Sequence, residues 1–262
     1  MVFQVLVSTM HQTDYSLLDT MNIQSDVVVI NQHISDSRID FNHGDNKVTW
    51  INSQERGLSR SRNLALKNAS GRICLLADDD LEYVPNYQDI VLEQFSLNPD
   101  YDIITFQVEG IERKFKNYYQ KERRLGFLTS MKVSSVEIAF RLDRVREASI
   151  QFNEMFGSGA RYMAGEENIF LYDCLRRGLR IKYVPIKIAY LHIGTSTWFE
   201  GYNKRYFISK GAIFTAMSPK YSIPLILQFA IRKYALYRDE MTMAQAIKFM
   251  LKGRRQFLMG GL

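Results

Sequence analysis

Short apolar runs recur through the first hundred positions, separated by polar stretches with helical spacing. Residues 2–9 read as a buried strand, and residues 26–31, built around Val27-Val28-Val29-Ile30, as a second. Residues 47–51, 73–77 and 103–108 give a third, fourth and fifth. Continuous β-branched runs of this length suit strands covered on both faces of a parallel sheet. Between the third and fourth, residues 58–69 put Leu58, Ser61 and Ala65 on one helical face, and Ser70-Gly71 ends the helix. Strand–helix–strand alternation predicts an α/β fold with a mostly parallel, doubly wound sheet.

The pattern changes after Gly110. Residues 110–132 are rich in charge, Tyr and Phe with weak periodicity, and read as a loop or helical region over the sheet edge, a candidate lid. Residues 135–141 suit a strand, and residues 165–177 a helix closed by Gly178. Residues 180–184 and 187–192 suit two short strands around Pro185. From Phe199 onward the pattern is helical, interrupted at Pro219 and Pro224. The longest apolar stretch, residues 223–231, contains Pro224 and Gln228. It is far shorter than the ~20 residues a membrane span needs. The start lacks the layout of a secretory signal. The expectation is a cytoplasmic protein that does not cross a membrane but can lie on one.

Composition adds two constraints. The 262 residues, 46% apolar and 24% charged, match a globular chain with a full core. Net charge is +6, and its placement is uneven. Residues 219–262 hold eight Lys/Arg against two acids, so residues 1–218 sum to zero. A neutral body with a basic tail argues against nucleic acid as partner. Cys74 and Cys174 sit in apolar patterns without metal-ligand spacing, as expected of a reduced compartment.

Four groups of residues could carry chemistry. Asp78-Asp79-Asp80 closes the fourth strand. Three adjacent carboxylates repel one another, and a cation at this edge would relieve them. The alternative is a solvated acidic turn. Glu55–Asn63 opens the helix before that strand, with Arg56, Ser59, Arg60 and Arg62 at a helix N-terminus suited to anions. An ordinary surface helix is the alternative. Glu166-Glu167 opens a later helix, where acids are favoured by the dipole alone but could also act as a general base. His192 ends a strand ahead of Gly194-Thr195-Ser196-Thr197, as a ligand or as a structural histidine.

The order and spacing of these groups resemble the family 2 glycosyltransferases with the GT-A fold. The resemblance runs through Gly57-Leu58-Ser59-Arg60-Ser61-Arg62-Asn63-Leu64-Ala65, Ala69-Ser70-Gly71 and Leu75-Leu76-Ala77-Asp78-Asp79-Asp80. It continues through Phe156-Gly157-Ser158-Gly159, Gly165-Glu166-Glu167, Tyr183-Val184-Pro185 and His192 with Gly194-Thr195-Ser196, over roughly residues 1–200. It implies a catalytic domain over 1–200, with a nucleotide-sugar half to about residue 110 and an acceptor half after it. Residues 201–262 would be a basic helical extension contacting a membrane or a second subunit.

The implied activity is metal-dependent, inverting transfer of a hexose-type sugar from a UDP-sugar to a hydroxyl of a saccharide acceptor. That acceptor would be lipid-linked, in bacterial capsular, exo- or lipopolysaccharide synthesis. The resemblance puts Asp80 and His192 on Mn²⁺ or Mg²⁺, and Asp78 and Asp79 at the donor. It puts Ser8, Thr9, Asn31, Gln32, Arg56 and Ser59 around the nucleotide and Arg62 by the diphosphate, with Glu167, ahead of Glu166, as base. Two departures stand out. The second strand ends in Asn31-Gln32 where aspartates are usual, and the base position carries Glu where Asp is commoner. A sugar-1-phosphate nucleotidyltransferase is the rival enzyme class, but Ser8-Thr9-Met10-His11-Gln12 lacks its Gly-rich basic loop. A non-catalytic nucleotide-sugar binder is the other alternative.

Overall fold

The computed structural model describes residues 2–194 and 201–260. Among these residues ten strands form one sheet: β1 Phe3–Met10, β2 Asp26–Gln32, β3 Ser37–His43, β4 Asn46–Ser53, β5 Ile73–Asp78, β6 Leu81–Tyr83, β7 Ile103–Gly110, β8 Arg123–Leu125, β9 Ile138–Arg141 and β10 Ile181–Leu191. Their order is β3-β4-β2-β1-β5-β9-β7-β10-β6, with β8 on β10. The β4-β2-β1-β5 block is parallel, as is the β7–β10 pair. The helices are α1 Leu17–Thr20, α2 Leu58–Asn68, α3 Tyr87–Leu97, α4 Phe127–Ser130, α5 Leu142–Glu147, α6 Glu166–Arg176, α7 Lys204–Met217, α8 Ser222–Arg232, α9 Tyr234–Tyr237 and α10 Met243–Gly260.

Strand alternation divides the sheet's residues between two cores. Val5, Val7, Val27, Val29 and Leu75 pack with Leu18 of α1 and with Tyr87, Val91 and Phe95 of α3. Leu6, Val28, Ile30 and Leu76 pack on the other face with Ala65 of α2 and with Phe170 and Cys174 of α6. A third cluster joins Ile169 and Tyr172 of α6 to α7, α8 and α10. The α/β expectation holds.

Several boundaries differ from the sequence expectations. β3 was not expected: it is a largely exposed edge strand whose sequence, SRIDFNH, carries no buried face. α3 was not expected either: its buried Tyr87, Val91 and Phe95 recur every four residues, but Ile90, Leu92 and Leu97 blur that face. The two strands expected around Pro185 are one strand, β10, with register shifts between Tyr183 and Ala189. Proline lacks the N–H for a ladder bond, so an irregularity there costs little. Residues 135–137 are a 3₁₀ turn, and only Ile138–Arg141 is strand. Residues 110–132 are mostly loop, with β8 added to the edge of β10. Pro224 does not interrupt a helix. It lies in the first turn of α8, where its missing N–H would have had no helical partner. Among the described residues, the helical pattern expected from Phe199 runs from Lys204. Thr195, Ser196, Thr197, Trp198, Phe199 and Glu200 lie outside the described residues.

Candidate active site

Parallel pairing aligns the C-terminal ends of three neighbouring strands. Ser8 faces Asp78 across β1 and β5, while Thr9 and Met10 face Asn31 and Gln32 across β1 and β2. That edge is where open α/β sheets bind ligands. Asp79 and Asp80 form the turn from β5 into β6, and β10 returns beside it, so that His192 N–H donates to the Asp80 carbonyl at 2.9 Å. Asp80 and His192, 112 positions apart in the sequence, are thereby brought together.

The three aspartates have different surroundings. Asp78 Oδ1 accepts from the Arg62 guanidinium at 2.8 Å, and its Oδ2 from Ser135 Oγ at 3.4 Å. Asp79 Oδ2 accepts from Thr9 Oγ1 at 2.5 Å, which ties the first strand to the motif. Asp80 has no such relief: its Oδ1 is buried without a hydrogen-bond partner. Its carboxyl is pushed up to about 7, by burial first and then by Asp78 and Asp79, with His192 pulling the other way. An orphaned buried carboxylate oxygen beside two like charges fits a cation. Among the described residues, no cluster of three or more His, Cys, Asp or Glu is arranged to hold one. A hard divalent ion completed by diphosphate oxygens and water needs only one or two protein ligands, so the residues fit Mg²⁺ or Mn²⁺. The His192 ring faces Glu112, with Nδ1 at 3.2 Å from Oε1. Its expected metal role would have to be played through Nε2.

Arg62 departs most from expectation. It is only 1% exposed, with Nη2 on Asp78 at 2.8 Å and Nη1 on Glu166 at 2.7 Å. Burial opposes its charge, but Asp78 and Glu166 more than compensate and hold the guanidinium ionised. Rather than reaching for a diphosphate, it clamps the end of β5 to the start of α6. Glu166 is buried and committed to this clamp, although its Oε2 has no partner. A Cβ at Gly157, where φ is +104°, would lie 3.3 Å from that carboxylate, so the loop over it requires glycine. Glu167, one residue on, is partly exposed. Burial, then the Glu166 charge, push its carboxyl well above the usual carboxylate range, while Arg62 and Lys210 oppose the shift.

Other expected contacts are already taken within the protein. Asn31 is fully buried: its Nδ2 donates to Gln12 O at 2.9 Å and Asn52 Oδ1 at 2.8 Å, and its Oδ1 accepts from Gln12 N at 3.1 Å. A base contact through that side chain is therefore ruled out in this conformation. Gln32 is also buried, its Oε1 accepting from Gly57 N at 2.8 Å. The start of α2 is not an open anion site either. Leu58 N donates to Ser158 O at 2.9 Å, and Ser59 Oγ to Phe156 O at 2.7 Å. Arg56 remains exposed, and Arg60 pairs with Glu154 at 3.2 Å. Ser61 Oγ donates to Ser8 Oγ at 2.9 Å. Ser135, Asn52 and Lys210 were not singled out from sequence. Each contributes through a contact across the fold, with no local motif to mark it.

The sequence model of glycosyl transferase family 2 matches residues 25–165. No curated protein matches the chain. Among solved structures, S. aureus TarS 1-349 in complex with UDP-GlcNAc superposes with a TM-score of 0.63 at 16% identity, covering 92% of this chain and 74% of that one. The same protein in complex with UDP gives 0.61 at 14% identity, covering 92% and 74%. A longer S. aureus TarS chain gives 0.62 at 14% identity, and this chain spans 44% of its length while 90% of this chain is covered. At these identities the likeness is one of fold, the GT-A arrangement of sheet and flanking helices.

Proposed function

The chain belongs to glycosyl transferase family 2, and from that premise we propose that it transfers a hexose-type sugar from a UDP-sugar to a hydroxyl of a saccharide acceptor, with inversion and with a divalent cation. The observation that carries this reading is the join between its two halves. The strand-end aspartates, with the orphaned Asp80 Oδ1, are linked through buried Arg62 to Glu166, directly ahead of Glu167. A donor-side cation site and an acceptor-side base thus share one rigid frame. The TarS complex with UDP-GlcNAc makes that donor the first to test.

Glu167 is the base. It takes the proton of the acceptor hydroxyl as the oxygen's electron pair attacks the anomeric carbon. The bond from that carbon to the diphosphate oxygen breaks, and UDP leaves with the electron pair. Attack from the face opposite the leaving group inverts the anomeric centre. A divalent cation on Asp80, with His192 alongside, would neutralise charge on the departing diphosphate. Glu166 is not the base: the Arg62 pair holds its Oε1, and its role is to fix the start of α6. Residues 1–200 are the catalytic unit and 201–262 the helical extension. The acceptor is lipid-linked, as in bacterial surface-polysaccharide assembly, and the chain works at the inner face of the cell membrane. No helix among the described residues is long and apolar enough to cross it.

The test is UDP release from a panel of UDP-sugars, with Mn²⁺, with Mg²⁺ and after chelation. Release that needs the cation supports the reading. Tight UDP binding without release from any donor would replace it with a binding role.

A further inference from the structure

The sequence of the basic C-terminal region offers Ile231, Tyr234, Ala235, Tyr237, Ile247, Phe249, Met250, Leu251, Phe257 and Leu258 as residues that would face a membrane. The fold uses most of these for packing: Tyr237 and Met250 are buried, and Tyr234, Ile247, Phe249 and Phe257 lie against the same cluster. Ile231, Leu251 and Leu258 of that set stay exposed, and Ile231 belongs to a longer apolar surface on α8. Helix α8 buries Leu225, Ile226 and Ala230, and turns Ile223, Leu227 and Ile231 outward at 45, 43 and 64% exposure. These three follow one another at four-residue spacing, so they form a single stripe along the helix. Tyr221, just before α8, and Leu236, in α9, are exposed as well. Exposed Lys220, Arg232 and Lys233 flank the stripe.

We propose that this face of α8 docks on an anionic lipid bilayer surface and sets the catalytic edge toward it. Charge decides between a bilayer and a second copy of the chain. A two-fold contact through α8 would bring the flanking cations of both copies together, whereas anionic headgroups complement them. Position decides the consequence. Phe229, on the inner side of α8, lies 5.6 Å from the Lys210 ammonium of α7. Lys210 in turn acts on the Glu167 carboxyl. Helix α8 thus packs on the helix, α7, whose Lys210 acts on the base. A lipid-linked acceptor could then reach Glu167 without leaving the surface. This last step rests on the transfer reading; the docking itself does not.

The experiment is vesicle flotation of the full chain with phosphatidylglycerol–phosphatidylcholine liposomes and with phosphatidylcholine alone. The double variant Leu227→Glu/Ile231→Glu should lose about tenfold in recovery on anionic vesicles, since both charges enter the contact. Leu97→Glu, an exposed leucine on α3, should recover like the unmodified chain. Recovery on phosphatidylcholine alone should be low throughout. Cation-dependent UDP release in solution should be the same for the double variant and the parent, because neither residue lies in the site. Equal flotation of the double variant and the parent overturns the proposal. So does a dimer by light scattering that the double variant converts to monomer without any vesicle binding, which would assign the face to a second copy. Absence of UDP release from the parent would refute the transfer reading and leave the flotation result standing.

Discussion

Arg62 occupies a position that water cannot support. Two short ion pairs, to Asp78 and Glu166, keep it charged inside the protein. Removing one partner of such a buried cluster typically costs about 3–5 kcal/mol, because uncompensated charges remain. Arg62→Met should therefore lower unfolding free energy by about that amount in a urea titration. Were Arg62 instead a solvent-facing diphosphate ligand, the variant would raise the KM for donor and leave stability unchanged. Glu167 permits a second test. Glu167→Gln should lower kcat by about 10²–10⁴-fold while UDP affinity is retained. Its carboxyl is raised by burial and by Glu166. A base must be ionised, so the rate should fall as pH drops through that raised pKa, closer to neutrality than for an ordinary glutamate. A pH profile of kcat/KM whose acid limb lies in the ordinary carboxylate range would contradict this assignment.

The elements are held in register by contacts that are equally specific. Helices α7 and α10 cross with their backbones touching, at Gly211 against Met250 O and Gly253 against Ile208 O. A Cβ at either glycine would overlap backbone, which cannot move aside like a side-chain end. Gly253→Ala should destabilise by about 1–3 kcal/mol, as overpacking does. The measurement is urea unfolding, with Gly44→Ala as control: nothing lies near a Cβ there, and any cost comes only from its φ of +59°. The same crossing supports the start of α6, because Ile213 of α7 packs directly on Gly165. Element scale also explains what sequence patterning missed. β3 is polar because it is an edge, and an edge strand that invites no partner needs no apolar face. β10 spans Pro185 because neighbouring strands pair with it both before and after the unpaired residues 184–186.

For the molecule as a whole, Asp80 links stability to pH. Its carboxyl stands at about 7 in the fold against an ordinary value of 3.8. Stability from this group is fully present below its unfolded pKa and is lost as pH rises through the folded one. Asp80→Asn should thus raise the melting temperature at pH 8, by roughly 2–4 °C for each kcal/mol relieved, and change it little near pH 4. Mn²⁺ with UDP should stabilise the parent at pH 8 and the variant much less. Equal pH dependence of the two melting curves would contradict this account.

Local pattern was enough to find the parallel strands, the helix at 58–68, the aspartate run and the acidic pair, because apolar periodicity and clustered like charges are properties of neighbouring residues. It also located the basic charge in the tail. It could not say that Arg62 would turn inward to Glu166, that Asn31 would be occupied by Gln12 and Asn52, or that Ser135 would meet Asp78. Nor could it say which apolar residues of the tail would stay on the surface. Those outcomes depend on which distant segments share a dry interior, where every buried donor and charge must find its partner. Only the packed chain decides that.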